Sequence, residues 1–168
     1  MHGFSRDGDD VERKLIDKTI EPFLADLKGK GLQYRAFENG GLSNYYAVWV
    51  HETVPIEQLK GIAYFSADGI TIYFSLLGPY AAYGHARSEI HSTWCAMDYL
   101  KPAKLLASCS ATSKLEVGVA EAVARTPYQI LSPSELNQRI PDDIRPYEYC
   151  LSPEPWNTVF HLLFANTD

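Results

Sequence analysis

The chain has 168 residues, of which 46% are hydrophobic and 21% are charged, a composition that fits one folded domain and argues against disorder. It carries 15 Lys and Arg against 21 Asp and Glu, which gives a formal net charge of −6 at pH 7. A surface of that sign repels phosphate, so the composition argues against general binding of nucleic acids or of anionic membranes. Each of the segments 1–60, 61–100 and 101–168 carries a net charge of −2, so the total alone marks no binding face.

The first ten residues lack the basic start and the apolar run of a secretion signal, so we expect a cytoplasmic protein. The longest run without Asp, Glu, Lys or Arg extends from 69 to 86 and approaches the length of a membrane-spanning helix. However, Gly78-Pro79 interrupts this run, and its first half alternates like a strand. We interpret it as a buried strand that leads into a loop.

Cysteine usage and known motifs indicate neither a cofactor nor a metal. The three cysteines are widely separated and form no Cys-x-x-Cys pair, which argues against a disulfide framework and a zinc site: Cys95, Cys109 and Cys150. The chain contains neither Gly-x-Gly-x-x-Gly nor Gly-x-x-x-x-Gly-Lys, and it lacks the Gly-x-Ser-x-Gly elbow of the common serine hydrolases. The sequence therefore predicts no bound cofactor, and an enzyme is the less favoured class.

The N-terminal half predicts a helix followed by paired strands. Residues 9–28 place apolar side chains at three- and four-residue steps, which indicates an amphipathic helix with Pro22 as a kink or restart point. Strands are expected at 32–37 and 44–51, and Asn39-Gly40 between them favours a tight antiparallel hairpin.

A second hairpin is expected directly after the first. After a short helical turn at 55–60, strands at 62–66 and 70–77 are separated by Ala67-Asp68-Gly69, which has the composition of a turn. Two adjacent hairpins predict an antiparallel meander of about four strands, with the opening helix packed on its more apolar face.

The C-terminal half is expected to be richer in helix. Residues 86–100 show helical spacing, and residues 103–126 are ambiguous between helix and strand, although Ser113-x-x-Glu116 has the form of a capping box. A short helix is predicted to start at Ser132 and run to about 139, followed by a proline-rich irregular segment and a closing strand at 158–164. The fold class is therefore α+β in a single domain.

One region could carry enzyme chemistry. On a helix, His85 and Glu89 would share a face that could serve a divalent metal, but His91 would lie on another side, so a zinc-helix pattern is absent. His91, Cys95 and Asp98 would stack on one helical face and bring a thiol near an imidazole. A buried structural thiol is the favoured interpretation, because this cysteine would sit in mid-helix beside an acid and lack an activating cation.

Aromatic residues form 12% of the chain, and some of them lie in segments that are hard to bury. Tyrosine and tryptophan beside carboxylates on a proline-stiffened segment are typical of protein-binding surfaces, although such side chains also anchor loops. The candidate partner-binding residues are Tyr80, Tyr83, Asp142, Asp143, Tyr147, Glu148, Tyr149, Glu154 and Trp156.

In its general layout the chain resembles bacterial toxin-immunity proteins, which are compact, acidic, cytoplasmic single domains without an active site. The resemblance comes from the hairpins over 32–77, the acidic stretch 141–156 and the closing strand at 158–164, and no specific motif carries it. It implies a protein-binding module that occludes a cognate toxin. The alternative is a small metal- or thiol-dependent enzyme that uses the region of His85, Glu89, His91 and Cys95. Homodimerisation through an exposed sheet edge is a further expectation.

Overall fold

The computed structural model describes residues 14, 16–37, 43–52, 64–91, 95–97, 99–107, 113–144 and 155–164. A π-helical turn, Ile16–Ile20, leads into helix α1, and the remaining α-helices come after the first five strands in the chain. The helices are α1 (Glu21–Gly29), α2 (Lys114–Ala124), α3 (Pro133–Leu136) and α4 (Val159–Leu163). The strands are β1 (Leu32–Phe37), β2 (Tyr45–Glu52), β3 (Tyr64–Ser75), β4 (Tyr80–His91), β5 (Cys95–Met97) and β6 (Gln129–Ile130). This content confirms the α+β class.

The opening helix forms for the reason that its periodicity predicts. Ile20, Phe23 and Leu27 recur at three- and four-residue steps, and all three are buried against the sheet. Pro22 lies in the first turn of α1, where its missing N–H costs no helical hydrogen bond, so it restarts the helix after the π-helical turn. The helix ends before Gly31, which adopts a positive φ of 73° that glycine tolerates without strain.

Five strands follow one another across the sheet in chain order, and each pairs antiparallel with the next. The meander is therefore present, but its composition differs from the expected one. The predicted turn at 67–69 is wrong, because β3 runs unbroken from Tyr64 to Ser75 and Gly69 lies buried within it. The fourth strand of the meander is β4. The expected helical turn at 55–60 lies outside the described residues.

The helix predicted at 86–100 is also wrong. Most of this segment that the structure describes belongs to β4, which pairs with β3 from Phe74↔Ala81 to Tyr64↔His91. In its distal part the side chains of His85, Arg87 and Glu89 are exposed, and the residues between them are buried. This period of two is the signature of a half-buried strand.

Three separate segments cover the outer edge of β4. The short β5 pairs antiparallel with 88–90, Leu105 forms an isolated antiparallel bridge with Gly84, and β6 pairs in parallel with Tyr80 and Ala81. Further hydrogen bonds join the Leu106 N–H to the Tyr83 carbonyl at 2.9 Å and the Leu131 N–H to the Ala81 carbonyl at 3.0 Å. In the described part of the chain, β1 pairs with β2 alone, so it forms the other edge.

The two faces of the sheet carry different packing layers. Helices α1 and α2 cover the face that presents Val48, Ile72 and Phe74, and this is the larger apolar core. Helix α4 and the strap at 99–107 cover the opposite face, where Tyr45 and Tyr73 stack with ring centroids 4.0 Å apart. None of the described helices has the length and apolar character that crossing a membrane requires.

The C-terminal half confirms the helix start predicted at Ser132 and shows that the capping-box pattern at Ser113, in a segment left ambiguous by the sequence, also starts a helix. Ser113 caps α2 in a complete capping box with Glu116, and Ser132 does the same for α3 with Glu135. Helix α3 is shorter than expected and ends at Leu136. The α2 range settles part of the ambiguous segment 103–126.

The closing strand predicted at 158–164 is wrong, because this segment forms α4. The Leu162 N–H donates to the Thr158 carbonyl at 3.1 Å, and the Phe164 N–H donates to the Phe160 carbonyl at 3.0 Å. The helical turn places Phe160 and Phe164 on one side with ring centroids 5.4 Å apart, and both are fully buried. An apolar run of this length fits a buried strand or a buried helix equally well, and here packing selects the helix.

Candidate functional site

The residues singled out for metal binding lie on a strand and not on a helix. His85 and Glu89 are four residues apart on β4, and four residues of strand span about 13 Å. Two side chains separated by that distance cannot share one metal ion. The described residues contain no group of three or more His, Cys, Asp and Glu that could hold a metal.

The residues considered for thiol chemistry lie on two paired strands and not on one helix. His91 ends β4 at the position opposite Tyr64, and Cys95 begins β5 at the position opposite Ile90. The helical stacking of these two residues with Asp98 therefore does not occur, and Asp98 lies outside the described residues.

His85 has a structural partner. Its Nε2 lies 3.0 Å from Oε1 of Glu116, and this carboxylate is largely buried, with 9% of its side chain exposed. The second oxygen, Oε2, accepts the Ser113 N–H at 3.0 Å in the capping box of α2. Both carboxylate oxygens are thus engaged, and the pair ties the middle of β4 to the N-terminus of α2.

An open groove of about 710 Å³ lies beside this pair, between the β3–β4 hairpin and residues 103–106 of the strap at 99–107. Charged side chains of both signs line it, namely Asp68, Arg87 and Lys104, together with His85. The Arg87 Nε–H donates to Oγ of Ser66 at 2.5 Å. The groove presents no cysteine or serine beside a base, so its described lining lacks the pair that nucleophilic catalysis requires.

The acidic stretch gives the clearest exposed feature among the candidate residues. The Ile144 N–H donates to the Pro141 carbonyl at 3.0 Å, which closes a turn whose two central residues are Asp142 and Asp143. Both carboxylates are exposed, and Ile144 beside them is 42% exposed. We call residues 141–144 the acidic turn.

One carboxylate of the acidic turn has a neighbour of opposite charge. Arg139 Nη2 donates to Oδ1 of Asp142 at 2.7 Å, and these side chains are 70% and 85% exposed. An ion pair so open to water contributes little, because solvent screens it. Asp142 can therefore exchange this arginine for another cation at low cost.

The base of the acidic turn is held by the C-terminal segment. The Ile140 N–H donates to the Asn157 carbonyl at 2.9 Å, and the Val159 N–H donates to the Gln138 carbonyl at 3.0 Å. The side chain of Ile140 is buried as well. The turn is therefore fixed to the folded body at its base while its carboxylates project into water.

Trp156 anchors the same region. Its half-buried side chain packs against the core cluster that contains Phe160 and Leu163. This is the loop-anchoring role that the sequence left open for the aromatic residues.

The two loop tyrosines occupy different environments. Tyr80, at the start of β4, is 37% exposed and open to a partner. Tyr83 is 1% exposed and belongs to the larger core, so its side chain cannot contact a partner in the folded chain. The remaining four candidates, Tyr147, Glu148, Tyr149 and Glu154, lie outside the described residues.

Two apolar surface residues and one acidic partner escaped the sequence reasoning. Leu77 and Ile144 are exposed, and neither the alternation of strand residues nor the neighbouring charges predicts their exposure. The capping-box motif singled out Glu116, but its contact with His85 joins residues 31 positions apart and leaves no local pattern.

No protein-family model matches the chain, and comparison with curated proteins and with solved structures gives no match either.

Proposed function

We propose that this chain is a protein-binding module, and more specifically an immunity protein that occludes a cognate toxin in the bacterial cytoplasm. The observation that carries the proposal is the acidic turn. Asp142 and Asp143 project from a turn whose base is fixed by backbone hydrogen bonds, and exposed Ile144 lies beside them. Exposed carboxylates on a turn that is held in place suit the capture of a cationic protein surface.

Charge affects the rate at which a basic partner associates, and the fixed turn lowers the entropic cost of binding. A net charge of −6 draws a basic partner toward the chain, and local acids at the contact raise the association rate further. A turn already fixed in the free protein loses little conformational entropy on docking. Ile144 adds apolar area to the same contact.

The proposed mechanism is occlusion of an active site. A toxin that acts on an anionic substrate such as a nucleic acid needs a cationic active site, and carboxylates can occupy the positions of the substrate phosphates. The half-buried Trp156 supports the neighbouring segment, so the acids would be presented on a firm base. In this role the chain would protect the cell in which the toxin is made.

Co-purification from the native host tests the proposal. The tagged chain is isolated at low and at high salt, retained proteins are identified by mass spectrometry, and each is expressed alone to measure growth arrest. We expect a partner that is retained in a 1:1 complex, released by salt, and toxic unless this chain is co-expressed. Absence of a retained toxic protein would overturn the proposal.

Matched charge variants test the role of the acidic turn in that complex. The double variant Asp142→Asn/Asp143→Asn should weaken binding by about tenfold or more and reduce its salt dependence. The control Asp17→Asn/Glu21→Gln removes the same charge from exposed positions in the first helical segment and should change binding less than about twofold. Equal losses in both variants would show that only net charge matters.

A further inference from the structure

We infer that the turn between β3 and β4 is an apolar anchor that inserts into an uncharged pocket of a partner protein. This turn, here named the apolar tip, comprises Leu77, Gly78, Pro79 and Tyr80. The inference rests on the proposed function only in that a protein partner exists. It adds a second contact, of different chemistry from the acidic turn.

The apolar tip exposes more hydrophobic surface than the rest of the described chain does in so short a segment. Leu77 is 61% exposed, the largest value among the exposed large hydrophobic residues, and Tyr80 is 37% exposed. Pro79 between them is exposed as well. A single exposed leucine needs no explanation, but consecutive exposed apolar residues on a tight turn weaken solubility without helping the fold.

Backbone hydrogen bonds hold the start of the apolar tip in one conformation. The Leu76 N–H donates to the Asn44 carbonyl at 2.8 Å, and the Leu77 N–H donates to Oγ of Ser75 at 3.2 Å. The same serine hydroxyl donates to the Leu163 carbonyl at 3.0 Å, so the base of the tip is tied to α4.

The end of the apolar tip is held equally well. The Tyr80 N–H donates to the Gly78 carbonyl at 2.7 Å, and the Gln129 N–H donates to the Pro79 carbonyl at 2.8 Å. The Tyr80 ring lies over Gly78, where an added Cβ would meet the ring at 3.1 Å. Tyrosine is enriched among the few residues that dominate protein interfaces, and a turn already fixed in the free protein loses little conformational entropy on binding.

The surroundings of the apolar tip favour a protein pocket over a membrane or a nucleic acid. Asn44, Ser75 and Gln129, which bond to the tip, are uncharged, and the chain has no Asp, Glu, Lys or Arg between 69 and 86. Anionic lipids and phosphates require nearby cations. The core of a protein interface, by contrast, is depleted of charge.

Charge disfavours two hollows of the described residues as a seat for the apolar tip of a second copy. The groove of about 710 Å³ is lined by Asp68, Arg87 and Lys104, and a smaller hollow of about 230 Å³ is lined by Lys18, Asp26 and Arg125 among others. An uncharged tip placed in either would strip water from these charges without replacing their hydrogen bonds. The proposed occupant is a different protein, and self-association is an outcome of the test that would overturn this assignment.

A phage-displayed library of random peptides, panned on the immobilised full chain, tests the inference even while the natural partner is unidentified. We expect selected peptides rich in aromatic and aliphatic residues, and their affinity is measured by titration calorimetry. Leu77→Asp should lower that affinity by about tenfold or more, whereas Val117→Asp, at a 39% exposed position on α2, should change it less than about twofold. Failure to select any peptide whose binding depends on Leu77 overturns the inference.

Two further arms separate the alternatives. Leu77→Ala and Tyr80→Ala, checked for unchanged circular dichroism, must each weaken peptide binding, which excludes misfolding as the cause. Sedimentation with vesicles of anionic phospholipid, or a monomer–dimer equilibrium that Leu77→Asp abolishes, would overturn the inference in favour of a membrane or a second copy.

The outcomes for the two proposals are distinct. If peptides bind the apolar tip while no toxic partner is found, the immunity function fails and the anchor stands. If a toxic partner is found and Leu77→Asp binds it with unchanged affinity, the anchor fails and the immunity function stands.

Discussion

The indole of Trp49 lies over Gly69 on the neighbouring strand, and its Nε1–H donates to the Ala86 carbonyl oxygen at 3.3 Å. An added Cβ at Gly69 would lie 2.5 Å from that nitrogen and would also meet the Val50 carbonyl oxygen. The absence of a side chain at this position therefore lets three strands share one fully buried tryptophan.

Gly69→Ala should destabilise the fold by about 1–3 kcal/mol, because the tryptophan must leave its place or the strands must separate. Urea unfolding followed by tryptophan fluorescence measures the free energy. Gly29→Ala serves as the control, since its Cβ meets nothing within 4 Å and the change should be neutral or stabilising by about 0.5 kcal/mol. Equal stability of Gly69→Ala and the unmodified chain would contradict the packing argument.

A second glycine-to-alanine prediction concerns Gly84, which lies on β4. An added Cβ there would meet the Lys104 carbonyl oxygen and would lie 2.6 Å from Cδ1 of Leu100. Gly84→Ala should therefore displace the strap at 99–107 and raise its susceptibility to proteolysis by about tenfold, equivalent to about 1.4 kcal/mol of local opening. Limited trypsin digestion with mass spectrometry checks cleavage after Lys104, and an unchanged cleavage rate would count against the prediction.

The contact between His85 and Glu116 predicts unequal effects of removing its two members. Glu116→Ala removes the capping box of α2 and leaves the imidazole without its carboxylate, so we expect a loss of about 1–2 kcal/mol. His85→Ala should cost less than about 0.5 kcal/mol, because its side chain is 58% exposed and water replaces the contact. Chemical denaturation of the single and double variants gives the coupling energy. A larger loss for His85→Ala would show that this contact, and not the cap, is the stabilising feature.

Acid should weaken the fold through two buried histidines. Burial lowers the pKa of His51 below its usual 6.5, with the positive charge of Arg35 acting in the same direction, although the hydrogen bond to the Glu52 carbonyl opposes them. Burial likewise lowers the pKa of His161. Both rings therefore bind protons less readily in the folded chain than in the unfolded chain, which binds them as the pH falls through 6.5.

Stability should therefore be full above pH 6.5 and should decline below it as the pH approaches the lowered pKa values. The midpoint of urea unfolding, measured from pH 8 to pH 5, checks this slope. His51→Gln and His161→Gln should each flatten it, and the double variant should flatten it most. A midpoint that does not change between these pH values would contradict the prediction.

Local patterns predicted those elements whose stability is itself local. The spacing of Ile20, Phe23 and Leu27 predicts α1, and the two serine capping boxes predict the starts of α2 and α3, because each signal acts within one or two helical turns. Gly69 misled the sequence reasoning because glycine suits both a turn and a close approach, and only the distant Trp49 decides between them. The strand at 80–91 was missed for the same reason, since its pairing with β3 depends on residues up to 27 positions away.

Some residues of the candidate site could be identified from the sequence, and others could not. Composition singled out Asp142, Asp143 and Trp156, because charge, aromatic content and proline spacing are visible in the sequence. The exposure of Leu77 and of Ile144 could not be predicted, since it depends on what covers each position in the folded chain. Tyr83 shows the reverse case. It was expected in a loop after the strand at 70–77, but it lies buried inside β4.

The three segments that pair with the outer edge of β4 all follow this strand in the chain. Residues 95–97, 105 and 129–130 reach it from progressively later parts of the chain, so none of these pairings can form before those parts have been synthesised. The base of the acidic turn needs a still later residue, because the Ile140 N–H donates to the Asn157 carbonyl. The proposed binding surface is therefore complete only when nearly all of the sequence has been synthesised.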